Sequence, residues 1–224
     1  MTAQQDVAAD KPGTVRKFAS DIAFTPAVKE IQARAGSRRA YARMEEGAGW
    51  QTVISADLAG FIAAQTSVFL ATANSLGQPY IQHRGGPAGF LHVLDTKTIA
   101  FADFRGNRQF ISSGNLAENP QAHLFLIDYS TRRRIKIWGK ARVVEDDPAL
   151  LARLMSSHYK AQAEQAIVLT VEAWDANCPQ HIPQRIETAD VTKALEGRDR
   201  RITELEAEVA RLRQAWPVSS VGAK

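Results

Sequence analysis

The chain has 224 residues, a hydrophobic share of 45%, a charged share of 23% and a formal net charge of +4. This balance suits one substantial globular domain with helical additions; it permits a phosphate-bearing ligand and does not demand nucleic acid. The single cysteine, Cys178, excludes an intramolecular disulfide, no apolar run approaches a membrane span, and the N-terminus lacks an apolar signal core, so the expected location is the cytoplasm.

Residues 1–27, with Pro12, Gly13 and Pro26, read as a loosely ordered arm. Val28 to Glu46 reads as one helix, with Val28, Ile31 and Ala35 on one side and Arg and Lys on the other, stopped by Gly47 and Gly49. Ser55 is the expected N-cap of a second helix through Leu58, Phe61 and Ile62. SVFLATAN and PYIQHR then form a hairpin around SLGQ, GGPAG breaks the chain, and FLHVLD and TIAFADF form a second hairpin around Asp95-Thr96-Lys97.

A short helix is expected from Asn107 to Leu116, ending at NLAENP. QAHLFLIDY and RRRIKIWGKARVVE follow as long strands. In the second, Ile135, Ile137, Ala141 and Val143 share one face, while Arg132, Arg134, Lys136, Trp138, Lys140 and Arg142 share the other. Asp147-Pro148 opens a helix through Leu150, Leu151 and Leu154, and IVLTVEAWDANC is a further strand running into PQHIPQR. Six or more strands with few long helices between them indicate an antiparallel barrel with flanking helices, a mainly β (β+α) fold.

Residues 189–214 form a separate helical module, where Ile202, Leu205, Val209 and Leu212 recur at spacings of 3, 4 and 3 among Glu and Arg. It either packs within a dimer of this chain or recruits another protein. The resulting division is an N-terminal arm and helix over 1–55, a barrel over 56–186, and a C-terminal helix and tail over 187–224.

Four segments carry candidate chemistry. In RGNRQFISSGN (Arg105 to Asn115) a strand ends, a glycine turns the chain and a helix begins near Asn107. The free N–H groups of such a helix start, with Arg108 beside them, suit phosphate; the plainer reading is that Asn107 only caps the helix. In QHRGGPAG (Gln82 to Gly89) three donor side chains precede glycines that let a ligand approach the backbone, against an ordinary Gly-rich loop.

The basic strand face around Arg134, Lys136 and Trp138 either blunts a sheet edge or faces a phosphate or an electron-rich ring, with Trp138 as the stacking surface. WDANCPQHIPQR (Trp174 to Arg185) holds Cys178 and His181, but the histidines at 83, 92, 123, 158 and 181 have no zinc-like spacing, so no metal is expected. No dinucleotide or Walker fingerprint occurs, and the basic stripe lacks the aromatic ladder of single-strand binders.

The order PYIQHRGG, then TIAFADFRGNRQFISSGNLAENPQAHLFL, then RRRIKIWGKARVVE resembles the FMN-binding split barrel of pyridoxamine-5′-phosphate-oxidase-like proteins over residues 56–186. It is most similar to a flavin-nucleotide-binding branch of that family in which QHRGGP, GNRQ and CPQHI recur. The resemblance implies a cytoplasmic homodimer with FMN at the subunit interface. It places Gln82, His83, Arg84 and Gly85 at the flavin ring and ribityl chain, Asp103 beside them, and Arg108 and Gln109 at the phosphate with Asn107 at the helix start. Arg134, Trp174 and Arg185 would reach the flavin from the neighbouring subunit.

Two segments depart from the family pattern. Asn107-Arg108-Gln109 stands where the family has Ser-Arg-Lys, one phosphate cation fewer, and Gln82 stands where vitamin-B6 oxidases carry arginine. The substrate-phosphate clamp of those oxidases is not recognisable. The implied activity is therefore an FMN-dependent oxidoreductase of unassigned substrate, with vitamin-B6 oxidation not supported by the motifs and no catalytic residue assigned. The alternatives are a non-enzymatic flavin or haem sensor, and a nucleic-acid or partner-protein binder built on a barrel.

Overall fold

A computed structural model describes residues 16–156, 158–177 and 179–215. The chain divides into two compact units, Met1–Asp128 with Arg133–Pro179, and Tyr129–Arg132 with Gln180–Lys224.

The first unit opens with a 3-10 turn (Ala19–Ile22) and helices α1 (Pro26–Arg34) and α2 (Arg38–Glu46). The single helix expected over 28–46 is thus broken. Gly36 adopts φ +75°, Ser37 N–H donates to Gln32 O and Gly36 N–H to Ala33 O, which is the Schellman termination glycine favours. α3 (Ala56–Ala64) begins as expected, with Ser55 accepting from Leu58 N–H.

Seven strands follow: β1 (Ser67–Ala73), β2 (Pro79–Gly85), β3 (His92–Asp95), β4 (Thr98–Phe104), β5 (Gln121–Asp128), β6 (Arg133–Val144) and β7 (Ala163–Asn177). Helix α4 (Ile111–Glu118) joins β4 to β5, and α5 (Pro148–Leu154), capped by Asp147, joins β6 to β7. The sheet order is β2-β1-β5-β6-β7-β4-β3, and every pairing is antiparallel.

The alternation read in β6 is realised. Ile135, Ile137 and Ala141 are buried, and with Leu58, Ile62, Val68, Leu70, Leu124, Leu126, Ile167 and Leu169 they form the main core. β4 is buried on both faces, because Leu154, Leu150 and Leu151 of α5 cover its second side through Ala100 and Ala102. Between Trp138 and Gly139 the β6–β7 register shifts by a bulge. A Cβ on Gly139 would lie 2.2 Å from Thr170 O, so only glycine fits where the bulge brings two backbones together.

The outer face of β6 is partly covered by the chain's own N-terminal segment. Trp50 stacks on Trp138 with centroids 4.6 Å apart and planes at 17°, and Phe24 packs against both Trp50 (5.1 Å) and Tyr41 (5.2 Å). Lys136 Nζ lies over both indoles and 3.5 Å from Asp175. The stacking surface expected at Trp138 is thus filled by Trp50, a pairing invisible to local sequence periodicity.

The imidazole of His123 meets Trp138 edge-on at 4.8 Å. Burial, with Lys136 adding to it, lowers its pKa to about 4 from the usual 6.5, whereas burial raises that of Asp175 against the opposing pull of Lys136. For His123 the sign is fixed: below pH 6.5 the unfolded chain takes up a proton that the folded chain refuses until about pH 4, so stability falls across that window. Between pH 7 and pH 5 the loss is about 2 kcal/mol. Urea midpoints at the two pH values should show it, and His123→Phe should remove that share; an unchanged pH dependence in the variant would refute the buried neutral imidazole.

In the second unit, Gln184 Nε2 donates to Ser130 O at 3.2 Å and Arg185 N–H donates to Tyr129 O at 3.2 Å. Helix α6 (Thr188–Ala215) is the last described element and buries none of its residues.

Candidate functional site

The site lies where the curled sheet fails to close. β2 is one edge and β4 lies next to the other, and among the described residues no backbone pairing joins them. Yet Arg84 Nη1 on β2 stands 2.6 Å from Asp103 Oδ1 on β4. The barrel is therefore split along a seam bridged by side chains.

Period-two geometry sorts the β2 residues. Gln82 and Arg84 face the seam. His83 points to the opposite, exposed face, where its Nε2 is 2.8 Å from Ser67 Oγ and its ring packs 5.5 Å from Phe69.

The seam is polar and tightly bonded at its base. Buried Asp103 accepts through Oδ2 from Gln165 Nε2 at 2.8 Å, and the same amide nitrogen donates to Ser113 Oγ at 2.9 Å. Ser112 Oγ donates to Gln82 Oε1 at 3.0 Å. The first turn of α4 is thereby tied to both sides of the seam.

Two buried atoms, Arg84 Nε and Asp103 Oδ1, have no hydrogen-bond partner among the described residues. The close Arg84–Asp103 contact is a pairing of opposite charges without the alignment of a hydrogen bond. Asp103 Oδ1 is engaged by the Arg84 charge, whereas leaving Arg84 Nε unsatisfied costs about 1–3 kcal/mol, which a ligand acceptor placed there would recover.

The rim is the 105–110 loop. Asn107 Oδ1 accepts from Gln109 N–H at 3.3 Å, closing a local turn, and Arg108 and Phe110 adopt φ of 57° and 54°. Helix α4 consequently starts at Ile111, later than the expected Asn107, because the Asn side chain competes for backbone N–H groups. Two non-glycine left-handed residues within three positions form a strained rim of the kind that gathers at binding sites. Arg105 and Arg108 share Glu164, their Nε atoms 3.7 and 3.5 Å from its Oε1, and the Arg108 guanidinium sits 5.5 Å from the Phe110 ring. Arg108 is half-exposed.

The resulting cleft holds about 280 Å³. Six of the residues singled out in the sequence line it: Gln82, Arg84, Asp103, Asn107, Arg108 and Gln109. Ser112, Ser113 and Glu164 line it as well, and Gln165 supports it; the two serines fall in the Arg105–Asn115 segment without a role read for them, and Glu164 and Gln165 did not stand out in the sequence. A polar residue heading the otherwise apolar run of β7 was the available signal for Gln165.

The other candidates lie off this cleft. Gly85 and Gly86 serve packing: a Cβ at Gly86 would lie 2.7 Å from Phe90 Cβ, and one at Gly85 would lie 3.3 Å from Thr66 O. Arg134 is on the outer face of β6, in register with Asn177 and Ile127. Trp174 packs against the main core and donates from Nε1 to Val53 O at 2.9 Å. Arg185 belongs to the second unit, its guanidinium 4.1 Å from the Tyr129 ring centroid. Cys178 is outside the described residues. Among the described residues no group of three or more metal-ligating side chains occurs, and no helix is long and apolar enough to cross a membrane.

Comparison with known proteins bears on the family. Among solved structures, HupZ from Group A Streptococcus aligns with 16% identity, covering 59% of this chain and 99% of that one at a TM-score of 0.45. An FMN-binding protein from Syntrophomonas wolfei subsp. wolfei aligns with 11% identity, covering 65% and 97%, at 0.43. HutZ, the heme storage protein from Vibrio cholerae, aligns with 17% identity, covering 55% and 93%, at 0.39. Likeness at this level carries no argument about function. No curated protein matches the chain. The family model described as pyridoxamine 5′-phosphate oxidase matches residues 54–178, more than half of the chain and the whole of the seven-stranded sheet. On that match, the chain belongs to the pyridoxamine 5′-phosphate oxidase family.

Proposed function

We propose that this protein binds FMN in the seam cleft and works as an FMN-dependent oxidoreductase on a small molecule. The observation that carries the reading is one polar cleft lined by Gln82, Arg84, Asp103 and Arg108, in which buried Arg84 Nε has no hydrogen-bond partner among the described residues. The Arg84 Nε–H is a donor suited to a carbonyl of a flavin ring. Arg108, with the first-turn N–H groups of α4, suits the phosphate. When bound, the flavin supplies reversible two-electron chemistry; the chain's residues orient it and keep water from it.

The site on this reading is shared by two copies of the chain. A cleft of about 280 Å³ lies at the lower limit of the roughly 300–1,000 Å³ usual for small-molecule sites, so one chain encloses only part of the ligand. Arg134, Trp174 and Arg185, which do not line this cleft, would then act from the second copy.

The test begins with the visible spectrum of the protein purified without added cofactor and the identity of any molecule released on denaturation. FMN released at one per chain supports the reading, whereas a Soret band or a colourless protein that refuses added FMN overturns it. Arg108→Ala should raise the FMN dissociation constant about 10–100-fold, the equivalent of losing a charge-assisted hydrogen bond. An unchanged constant would remove Arg108 from the phosphate site. Tight FMN binding without turnover of any nicotinamide or other reductant would make the protein a sensor and not an enzyme.

A further inference from the structure

The family match ends at residue 178, and α6 (Thr188–Ala215) lies beyond it. At 28 residues it extends about 42 Å, far longer than the helices a globular core usually carries, and it buries none of its side chains. Val191, Leu195, Ile202, Leu205, Val209 and Leu212 are 42 to 57% exposed and are spaced 4, 7, 3, 4 and 3 residues apart. With Arg198 filling the gap, the positions continue an unbroken heptad for three repeats. Leu195, Ile202 and Val209 then take position a, and Val191, Arg198, Leu205 and Leu212 take position d.

This seam specifies its own occupant. β-Branched residues at a, here Ile202 and Val209, with leucine at d, here Leu205 and Leu212, favour two parallel strands. The flanking charges agree. In a parallel pair each g residue faces the following e residue of the other helix, which sets Arg201 opposite Glu206 and Glu208 opposite Arg213. Both contacts in the pair join opposite charges, and each occurs twice by symmetry. Within the single helix Arg201 and Glu208 reach only Glu204 and Arg211, exposed neighbours worth little. Arg198, a charge at d, is the one discordant layer and weakens the pair at its N-terminal third.

We infer that α6 pairs with α6 of a second copy of this chain as a parallel, in-register two-stranded coiled coil. The contact is separate from the flavin reading and would join subunits whether or not the cleft is filled.

The test uses the full chain carrying Cys178→Ser, with one cysteine introduced at Leu205 (position d) or at Ala207 (position f, facing outward). Parallel in-register packing brings the two d positions within disulfide reach, so Leu205→Cys should cross-link at least tenfold faster than Ala207→Cys under mild oxidation. Adding Glu206→Arg with Arg213→Glu sets like charges opposite each other and should slow Leu205→Cys to the Ala207→Cys rate. Mixing that chain with one carrying Arg201→Glu and Glu208→Arg should restore fast cross-linking, now between the two different chains. Because the charge variants touch no apolar position, the loss of fast cross-linking and its return on mixing read the helix pairing itself. Equal rates for the two cysteines, or a cross-linking rate unmoved by the charge changes, would overturn the pairing.

Discussion

Asp103→Ala should cost about 3–5 kcal/mol of stability, because it leaves the Arg84 guanidinium buried at the seam with no opposing charge. It also strips Gln165 Nε2 of its carboxylate acceptor, which loosens the link to Ser113. Urea denaturation of apo protein measures the loss. The double variant Arg84→Met with Asp103→Leu replaces the pair by apolar side chains of similar size and should recover most of the stability. It should not recover FMN binding, since the Arg84 Nε donor would be gone. A neutral Asp103→Ala would mean that the pair is solvated, and a double variant that still bound FMN would relocate the ring elsewhere.

Gly139→Ala should be nearly as damaging, by about 3 kcal/mol, a large part of the roughly 5–15 kcal/mol that holds a domain folded. The added methyl would meet Thr170 O at 2.2 Å and Leu169 Cδ2 at 3.1 Å, and the first of these is backbone in a paired strand that cannot move aside. Gly114→Ala is the matched control. Its Cβ meets nothing within 4 Å and it sits inside α4, so that variant should gain up to about 1 kcal/mol from reduced freedom of the unfolded chain. Thermal or urea midpoints moving in opposite directions would support both assignments; a Gly139→Ala protein as stable as the parent would place the bulge elsewhere.

Much of the fold was legible because its signals are local. The alternation of β6 marks its two faces, Ser55 and Asp147 cap helices where cap residues should stand, and the Gly-rich and Asn/Asp turns separate the strands. The misplaced boundaries are also local. Gly36 ends α1 through its left-handed backbone, and the Asn107 turn holds α4 back to Ile111. What periodicity could not reach is which distant segments meet. The stack of Trp50 on Trp138 and the bonding of Gln165 and Ser113 to Asp103 are tertiary choices made by the curl of the sheet. Six of the eleven expected site residues converge on one cleft because three short segments that each carry polar side chains end at the same seam. His83 separates from Gln82 and Arg84 for a reason as simple as strand parity.

The seam gives the molecule a replaceable part. Every other wall of the barrel is a backbone ladder, where a change of residue type disturbs pairing, packing or both. Between β2 and β4 there is no ladder to disturb, so Gln82, Arg84 and Asp103 can be exchanged as a matched set without removing a single main-chain hydrogen bond. A scaffold built in this way can change what it recognises while keeping how it folds.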